Sequence, residues 1–496
     1  MKAYAAYSTT TLLGLALLLA LPHEGRSQAQ QGSGSPYSAY GFGELSGTSQ
    51  VTQAIMGGTG VALADPYSVS RISPASYPFL WMTTFETGLV VRNLRYETEV
   101  LSARGRSTRL LGLSLGVPFG KGRWGLSLGL SPVSTVGYKF TEKGSVVGGD
   151  VSYEYTGTGG LDRAYLGVGH VLWQNNDTIN RGGKLSFGAN LEYLFGKVEE
   201  SRKAYYPVGN GYYNSSIAST LIIRSPSGTV ALQYAGDLID LPAAKARMKA
   251  RKERLSAQDK REEMDWLNAG KDPGERRPVK MPKGEGQALR FRIGASMELP
   301  ASLNARHTSL ANNFVISSSG VEFPRDTASF IDGAKGTVQL PPMLGVGFTI
   351  YNGHWTVTAE HRRRDWTQLE VDVEGYGLRT DLAASATYAL GASFRPAGDQ
   401  GGNFLQRTTY RAGVRYASDY LSVNGTNLDQ MGASFGLSLP LMGSRTRSRL
   451  NFGAEFGQRG TTADGLLRER FADVYIGISI TPEIIGDPWF KKRRIE

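Results

Sequence analysis

The side chains able to do chemistry are few and scattered. After its first 29 residues the chain holds four histidines, His170, His307, His354 and His361, and it has no cysteine at all. The histidines form no cluster with metal-ligand spacing, and there is no Gly-x-Ser-x-Gly elbow. The clustered glycines near residue 57 are not followed by Gly-Lys-Ser/Thr, so they are not a phosphate loop. Without cysteine there are no disulfides and no thiolate chemistry. These patterns predict no enzyme, no cofactor and no metal. Arginine, however, recurs at alternating positions: Arg290 and Arg292, and again Arg411 and Arg415. A guanidinium holds a carboxylate through two parallel hydrogen bonds. These four are therefore candidates for meeting a ligand carboxylate, or for pairing with Glu192, Glu298, Glu360 and Glu455.

The elements that must position them read as strands. Leu111, Leu113, Leu115 and Val117 alternate with small residues, and so do Trp124, Leu126, Leu128 and Leu130. Phe291, Ile293, Ala295 and Met297 alternate with Arg290, Arg292, Gly294, Ser296 and Glu298. Leu450, Phe452, Ala454 and Phe456 alternate with Asn451, Gly453, Glu455 and Gly457. One face is apolar throughout and the other is small or charged. Trp124, Tyr193, Phe195, Trp355, Trp366, Tyr388 and Tyr416 lie near segment ends, where aromatic girdles belong. Apolar-out, polar-in segments of about ten residues are the pattern of a transmembrane β-barrel. The four arginines then face inward.

Fourteen such segments centre near 83–99, 108–118, 123–136, 161–173, 184–199, 216–235, 287–299, 343–351, 354–369, 383–396, 407–419, 429–440, 448–460 and 470–481. An even count keeps both ends on one side, expected to be the periplasm. Gly120-Lys121-Gly122, Asn352-Gly353 and Gly443-Ser444 read as tight turns on that side. Longer connections near 137–160, 200–215, 300–342 and 461–469 are expected outside the cell. One short-side connection breaks the rule. Within 237–286 the pattern is helical and charged, with Pro242 at its start and Gly270 and Pro273 at its stop. Over 243–283 there are 13 Lys/Arg and 7 Asp/Glu, net +6. The helix Pro242–Leu267 is either a solvated insertion or a docking element for a periplasmic protein.

The chain begins with the parts of an export signal. Lys2 precedes an apolar run at Leu12–Leu21, and small residues lead to a cleavage point after Ala29. That run is shorter than the roughly 20 residues a membrane-spanning helix needs. The domain reading is a signal peptide at 1–29, a plug at 30–82, a barrel at 83–481 containing the insert, and a basic tail at 482–496. The formal charge of +11 falls to about +10 once Lys2, Arg26 and Glu24 are removed. For an exported chain, that charge points to anionic lipopolysaccharide or charged substrates and away from nucleic acid.

Ahead of the strands lies Met56–Tyr77, which is neither strand nor helix by pattern. Gly57, Gly58 and Gly60 allow positive φ and close packing, while Pro66 and Pro74 interrupt any ladder. Ile55, Val61, Leu63 and Ile72 favour burial. The stretch reads as a compact plug. Its core is Met56, Gly57, Gly58, Thr59 and Gly60, with Ser73, Pro74 and Ala75 further on.

With this plug ahead of a strand-only body, the sequence resembles the long-chain fatty-acid transporter (FadL-type) family of outer-membrane proteins, in the version found in Bacteroidetes-type bacteria. Where the family usually has Asn before Pro-Ala, this chain has Ser73. Val338-Gln339-Leu340-Pro341-Pro342, then Leu344-Gly345-Val346-Gly347-Phe348, Trp355 and Asp365-Trp366 resemble the family's later motifs. The resemblance implies a fourteen-stranded antiparallel barrel with an N-terminal plug. It also implies passive, monomeric transport of a hydrophobic small molecule, released sideways through a gap at a kinked third strand. Ser131-Pro132 lies in the third segment and is the candidate for that gap. The competing expectation is a secretion-machinery or scaffold barrel of the same fold that binds a partner protein. Outer-membrane lipases and proteases use Ser–His or Asp–His pairs on barrels, and nothing in this sequence points to one.

Overall fold

The computed structural model describes residues 34–481 apart from 49, 148, 176–182, 208–210, 240, 271, 273–287, 379, 399–401 and 442–446. The export signal, the expected turn at Gly443-Ser444 and the basic tail lie outside the described residues. So does most of the insert beyond Asp272.

Nineteen strands form one antiparallel sheet that closes on itself. β1 (Glu44–Leu45) belongs to the N-terminal region and lies inside. The wall starts with β2 (Thr84–Glu97), β3 (Ser102–Phe119), β4 (Trp124–Val146), β5 (Gly149–Gln174), β6 (Lys184–Tyr205) and β7 (Asn214–Ile239). It continues with β8 (Leu289–Glu298), β9 (Ala301–Ile316), β10 (Glu322–Leu340), β11 (Met343–Tyr351) and β12 (Trp355–Asp365). Two short strands, β13 (Glu370–Asp372) and β14 (Asp381–Leu382), precede β15 (Ala384–Phe394). The wall ends with β16 (Thr409–Val423), β17 (Thr426–Pro440), β18 (Arg449–Arg459) and β19 (Arg468–Ile480). β19 pairs with β2 from Arg468↔Glu97 to Ile480↔Phe85, closing a barrel of fourteen wall strands. Closure pairs the backbone groups of neighbouring strands round the ring, as a wall surrounded by lipid requires, except where β3 and β4 separate above Leu113 and Leu130.

The outward face carries Leu128, Leu166, Leu191, Ile293, Val346, Phe348, Leu390, Val414, Phe435 and Phe456, all exposed. That apolar band needs a bilayer around it. Trp124, Tyr193, Trp355, Tyr388 and Tyr416 are exposed on the same face. Trp366 is not. It is buried inside the wall, where its Nε1–H donates to Ser385 Oγ at 3.0 Å and its ring lies 4.9 Å from that of Tyr420. It leaves the outer face because β12 ends at Asp365, whose carboxylate caps a single turn over Trp366–Gln368.

Leu111 also departs from expectation. A register shift between Gly88 and Leu89 leaves Leu111 unpaired and turns it inward against Val51, Ala54 and Ile55, while Leu110 faces out. A bulge adds one residue to one strand, which reverses the faces on either side of it.

Most of the expected long connections are strand. β4 and β5 stay paired to Val146↔Gly149, and β9 and β10 make a hairpin over most of 300–342. β8 and β9 are one wall strand interrupted at Leu299-Pro300, and β10 and β11 are one interrupted at Pro341-Pro342. β7 accordingly pairs with β8 below the break and with β9 above it. Above the apolar band the alternation inverts. Leu194, Leu221, Ile223, Leu303 and Val338 point inward into a cluster with Tyr37, Phe42 and Tyr420. Outside lies water, not lipid, so the polar face turns outward and the signature used to find the strands is lost.

Among its described residues the insert contains one helix, α2 (Leu241–Asn268). It stops at Gly270, which has φ +66°. Among the described residues no helix is long and apolar enough to cross a membrane.

Candidate functional site

The inward-facing segment between Gly34 and Leu80 fills the lumen. Among its described residues α1 (Val51–Ala54) is the only α-helical turn, and apart from β1 the rest is irregular backbone, bends and 3-10 turns. Gly57 and Gly58 have φ of +72° and +87°, which side chains tolerate poorly. Ile55, Met56, Val61, Ile72, Ala75 and Tyr77 are buried.

Irregular backbone needs partners, and the wall supplies them. Glu360 accepts the N–H groups of Gly60 and Val61 at 2.6 and 2.7 Å. Glu86 accepts the Val69 N–H at 2.7 Å. Gln233 Nε2 donates to Val61 O at 2.6 Å and to Ser73 Oγ at 2.8 Å. Ser186 Oγ donates to Ala75 O at 2.8 Å, and Arg362 Nη2 to Gly58 O at 3.1 Å. Thr59 Oγ1 returns to Met56 O at 3.1 Å. Small wall residues make room. A Cβ at Gly188 would stand 2.3 Å from the Pro74 carbonyl carbon, and one at Gly413 would stand 2.2 Å from the Gly57 nitrogen.

Charged side chains span plug and wall. Arg71 reaches Glu192 at 3.2 Å and Glu298 at 3.3 Å, and Arg163 joins Glu298 at 2.8 Å. Arg364 completes this group on Glu298. Arg92 pairs with Asp473 at 2.7 Å and with Glu44 of β1. Arg109 on β3 lies 3.6 Å from the same Glu44.

The four arginines named from the sequence are separated. Arg290 pairs with Asp237 at 3.1 Å, close to the short-turn end. Arg292 makes no ion pair among the described contacts. Its guanidinium lies over the rings of Phe79 and Tyr351 at 4.6 and 4.9 Å. Arg411 pairs with Asp65 of the plug at 3.1 Å. Arg415 pairs with Glu455 at 2.8 Å. Of the four, only Arg415 lines the central cavity. The anchors Arg71, Asp65 and Glu86 were not anticipated, because plug and wall partners lie far apart in sequence.

Between the plug and the upper wall lies a chamber of about 210 Å³. Gly57 and Gly58 form part of its floor, and Arg92, Arg163, Arg364, Arg415 and Arg459 line its sides. It also reaches Arg109 and Leu111 on β3 and Pro132 and Val133 on β4. Here the wall parts. β3 and β4 pair only from Phe119↔Trp124 to Leu113↔Leu130. Beyond that, β3 continues on β2 alone and β4 on β5. Ser131 and Pro132 are the first residues of β4 past the last shared rung, and the register shifts between Pro132 and Ser134. β1 covers part of the free edge, with Glu44 opposite Thr135 and Leu45 opposite Ser134. The Ser46 N–H donates to Val133 O at 2.9 Å.

A family model described as BamG matches residues 14–264 and 284–496. No curated protein matches the sequence. Among solved structures, the chain is similar to the Ralstonia pickettii toluene transporter TbuX. Identity is 14%, 87% of this chain and 98% of that chain are covered, and the TM-score is 0.49. The P. putida toluene transporter TodX gives 14% identity, coverage of 88% and 99%, and a TM-score of 0.46. A Pseudomonas aeruginosa FadL homologue gives 11%, 88% and 98%, and 0.45. At these identities and scores the likeness assigns no cargo.

Proposed function

The chain belongs to the BamG family; from its chamber and parted strands we propose an outer-membrane barrel that lets a hydrophobic molecule pass without an energy source. The observation carrying this reading is the chamber that runs from the plug to the parted strands at Ser131-Pro132. Such an opening offers an exit into the bilayer, with β1 as its cover. The arginine-lined sides fit an amphiphile with an anionic end, such as a long-chain fatty acid, better than a bare hydrocarbon. In this reading the chain is exported by residues 1–29, works as a monomer among outer-membrane lipid and lipopolysaccharide, and catalyses nothing for passage. The wording of the plug supports a Bacteroidetes-type origin.

A second reading is a scaffold barrel that binds a partner protein. It is favoured by the chamber's own chemistry, since Arg163, Arg364, Arg415 and Arg459 are already paired with wall carboxylates. It is also favoured by α2, a long charged helix on the short-turn side, read as periplasmic.

Native mass spectrometry of the detergent-solubilised protein, with extraction of bound lipid, separates the two. A bound fatty acid or similar amphiphile, lost when Pro132 or Gly58 is substituted, supports passage. An empty barrel that arrives with a stoichiometric protein partner sinks it in favour of the scaffold.

A further inference from the structure

A second cavity, of about 230 Å³, lies above the apolar band. The upper wall of β6, β7 and β9 meets the loop after β13 there, and Ala39 and Gly41 of the N-terminal segment reach it. Its lining includes Glu200, Arg202, Ser219, His307 and Gly375. We propose that Ser219 and His307 are the nucleophile and general base of a serine hydrolase site that takes carboxylic esters into this cavity.

The argument rests on hydrogen bonds. His307 Nδ1 lies 2.9 Å from the backbone carbonyl of Glu374, and His307 Nε2 lies 3.1 Å from Ser219 Oγ. A carbonyl only accepts, so the proton of the neutral ring is on Nδ1. Nε2 is then bare and Ser219 donates to it. This is the arrangement that activates a serine, with a backbone carbonyl orienting the base where a carboxylate often stands. The ring is held. His307 is 1% exposed, and the Tyr376 ring meets it edge-on at 5.5 Å. The turn presenting Glu374 depends on Gly375, whose φ is +70°. The pair comes from adjacent strands, with Leu221 opposite His307 and Ser219 opposite Ser309. Ser219 and His307 lie 88 residues apart, and no local motif announces them.

The chemistry balances with water alone. Ser219 Oγ adds to the ester carbonyl carbon as its proton passes to His307 Nε2. The negative charge that develops on the carbonyl oxygen is met by a cation, and Arg202 lines the same cavity. The C–O bond to the alcohol breaks, and the alcohol takes the proton from Nε2. Water then adds to the acyl-serine with His307 as base, releasing the carboxylic acid and restoring Ser219.

The site stands apart from the central chamber and does not depend on the passage reading. Full-length protein folded in detergent is treated with a fluorophosphonate probe, and adducts are mapped by peptide mass spectrometry. The expected result is an adduct on Ser219. Ser219→Ala removes it, and His307→Gln slows it at least about a hundredfold, while heat-shifted gel mobility shows each variant folded. Turnover of p-nitrophenyl acetate and p-nitrophenyl decanoate follows the same order. If folded wild type carries no adduct at Ser219, the proposal is overturned. It is equally overturned if His307→Gln labels at the wild-type rate, or if Ser219→Ala keeps the esterase turnover.

Discussion

Glu360 Oε2 accepts the Gly60 N–H at 2.6 Å, so a wall carboxylate caps the plug backbone. The same oxygen takes the Val61 N–H, and Arg362 lies 2.8 Å from the other oxygen. Removing the carboxylate leaves two buried donors unpaired. Glu360→Ala is expected to loosen the plug by about 3 kcal/mol, from hydrogen bonds to a charged group. Hydrogen exchange across residues 56–75 should rise while exchange in β18 and β19 stays slow. Unchanged protection of the plug would show that Glu360 is not its anchor.

Gly413 has room for no more than hydrogen. Gly413→Val is expected to cost at least about 1–3 kcal/mol through overpacking, read as a lower unfolding temperature in detergent. Val414→Leu, on the lipid face next to it, is the control and should leave that temperature unchanged.

The cover over the parted strands can be locked. Leu45 and Ser134 are opposite each other in an antiparallel pair, at a separation that suits a disulfide. The chain has no cysteine, so Leu45→Cys with Ser134→Cys gives a single defined bridge. Oxidised protein should exchange a labelled fatty acid more slowly than reduced protein, by tenfold or about that. Equal rates would remove β1 from the route.

Deleting residues 242–267 tests the scaffold reading. Loss of a co-purifying protein with fatty-acid binding intact would assign α2 to a partner. Loss of fatty-acid binding with the barrel still folded would tie the helix to passage instead.

Strand count, plug and inward arginines were legible because each leaves a periodic or compositional trace. Ile293 and Phe456 alternate with neighbours of another kind, and lipid enforces that alternation. The trace fails where the enforcing solvent changes. Leu303 faces in, and its region was read as loop, because water replaces lipid outside the upper wall. It fails again where one extra residue shifts the phase, as at Leu111. Trp366 was assigned to the girdle by residue type, and the turn capped by Asp365 carried it inside. Pairings such as Arg71 with Glu298 leave no periodic trace, since they join segments brought together only by closure.

The wall glycines carry an implication for assembly. Val51 and Ile55 sit where side chains at Gly88, Gly453 and Gly477 would stand, and Gly88 and Gly477 belong to β2 and β19, the strands that close the ring. The plug therefore touches both lips of the closing joint. It is also made first, ahead of every wall strand. A ring that shut around nothing would hold a hole moulded to an absent shape, with Glu360, Glu86 and Gln233 missing their plug partners.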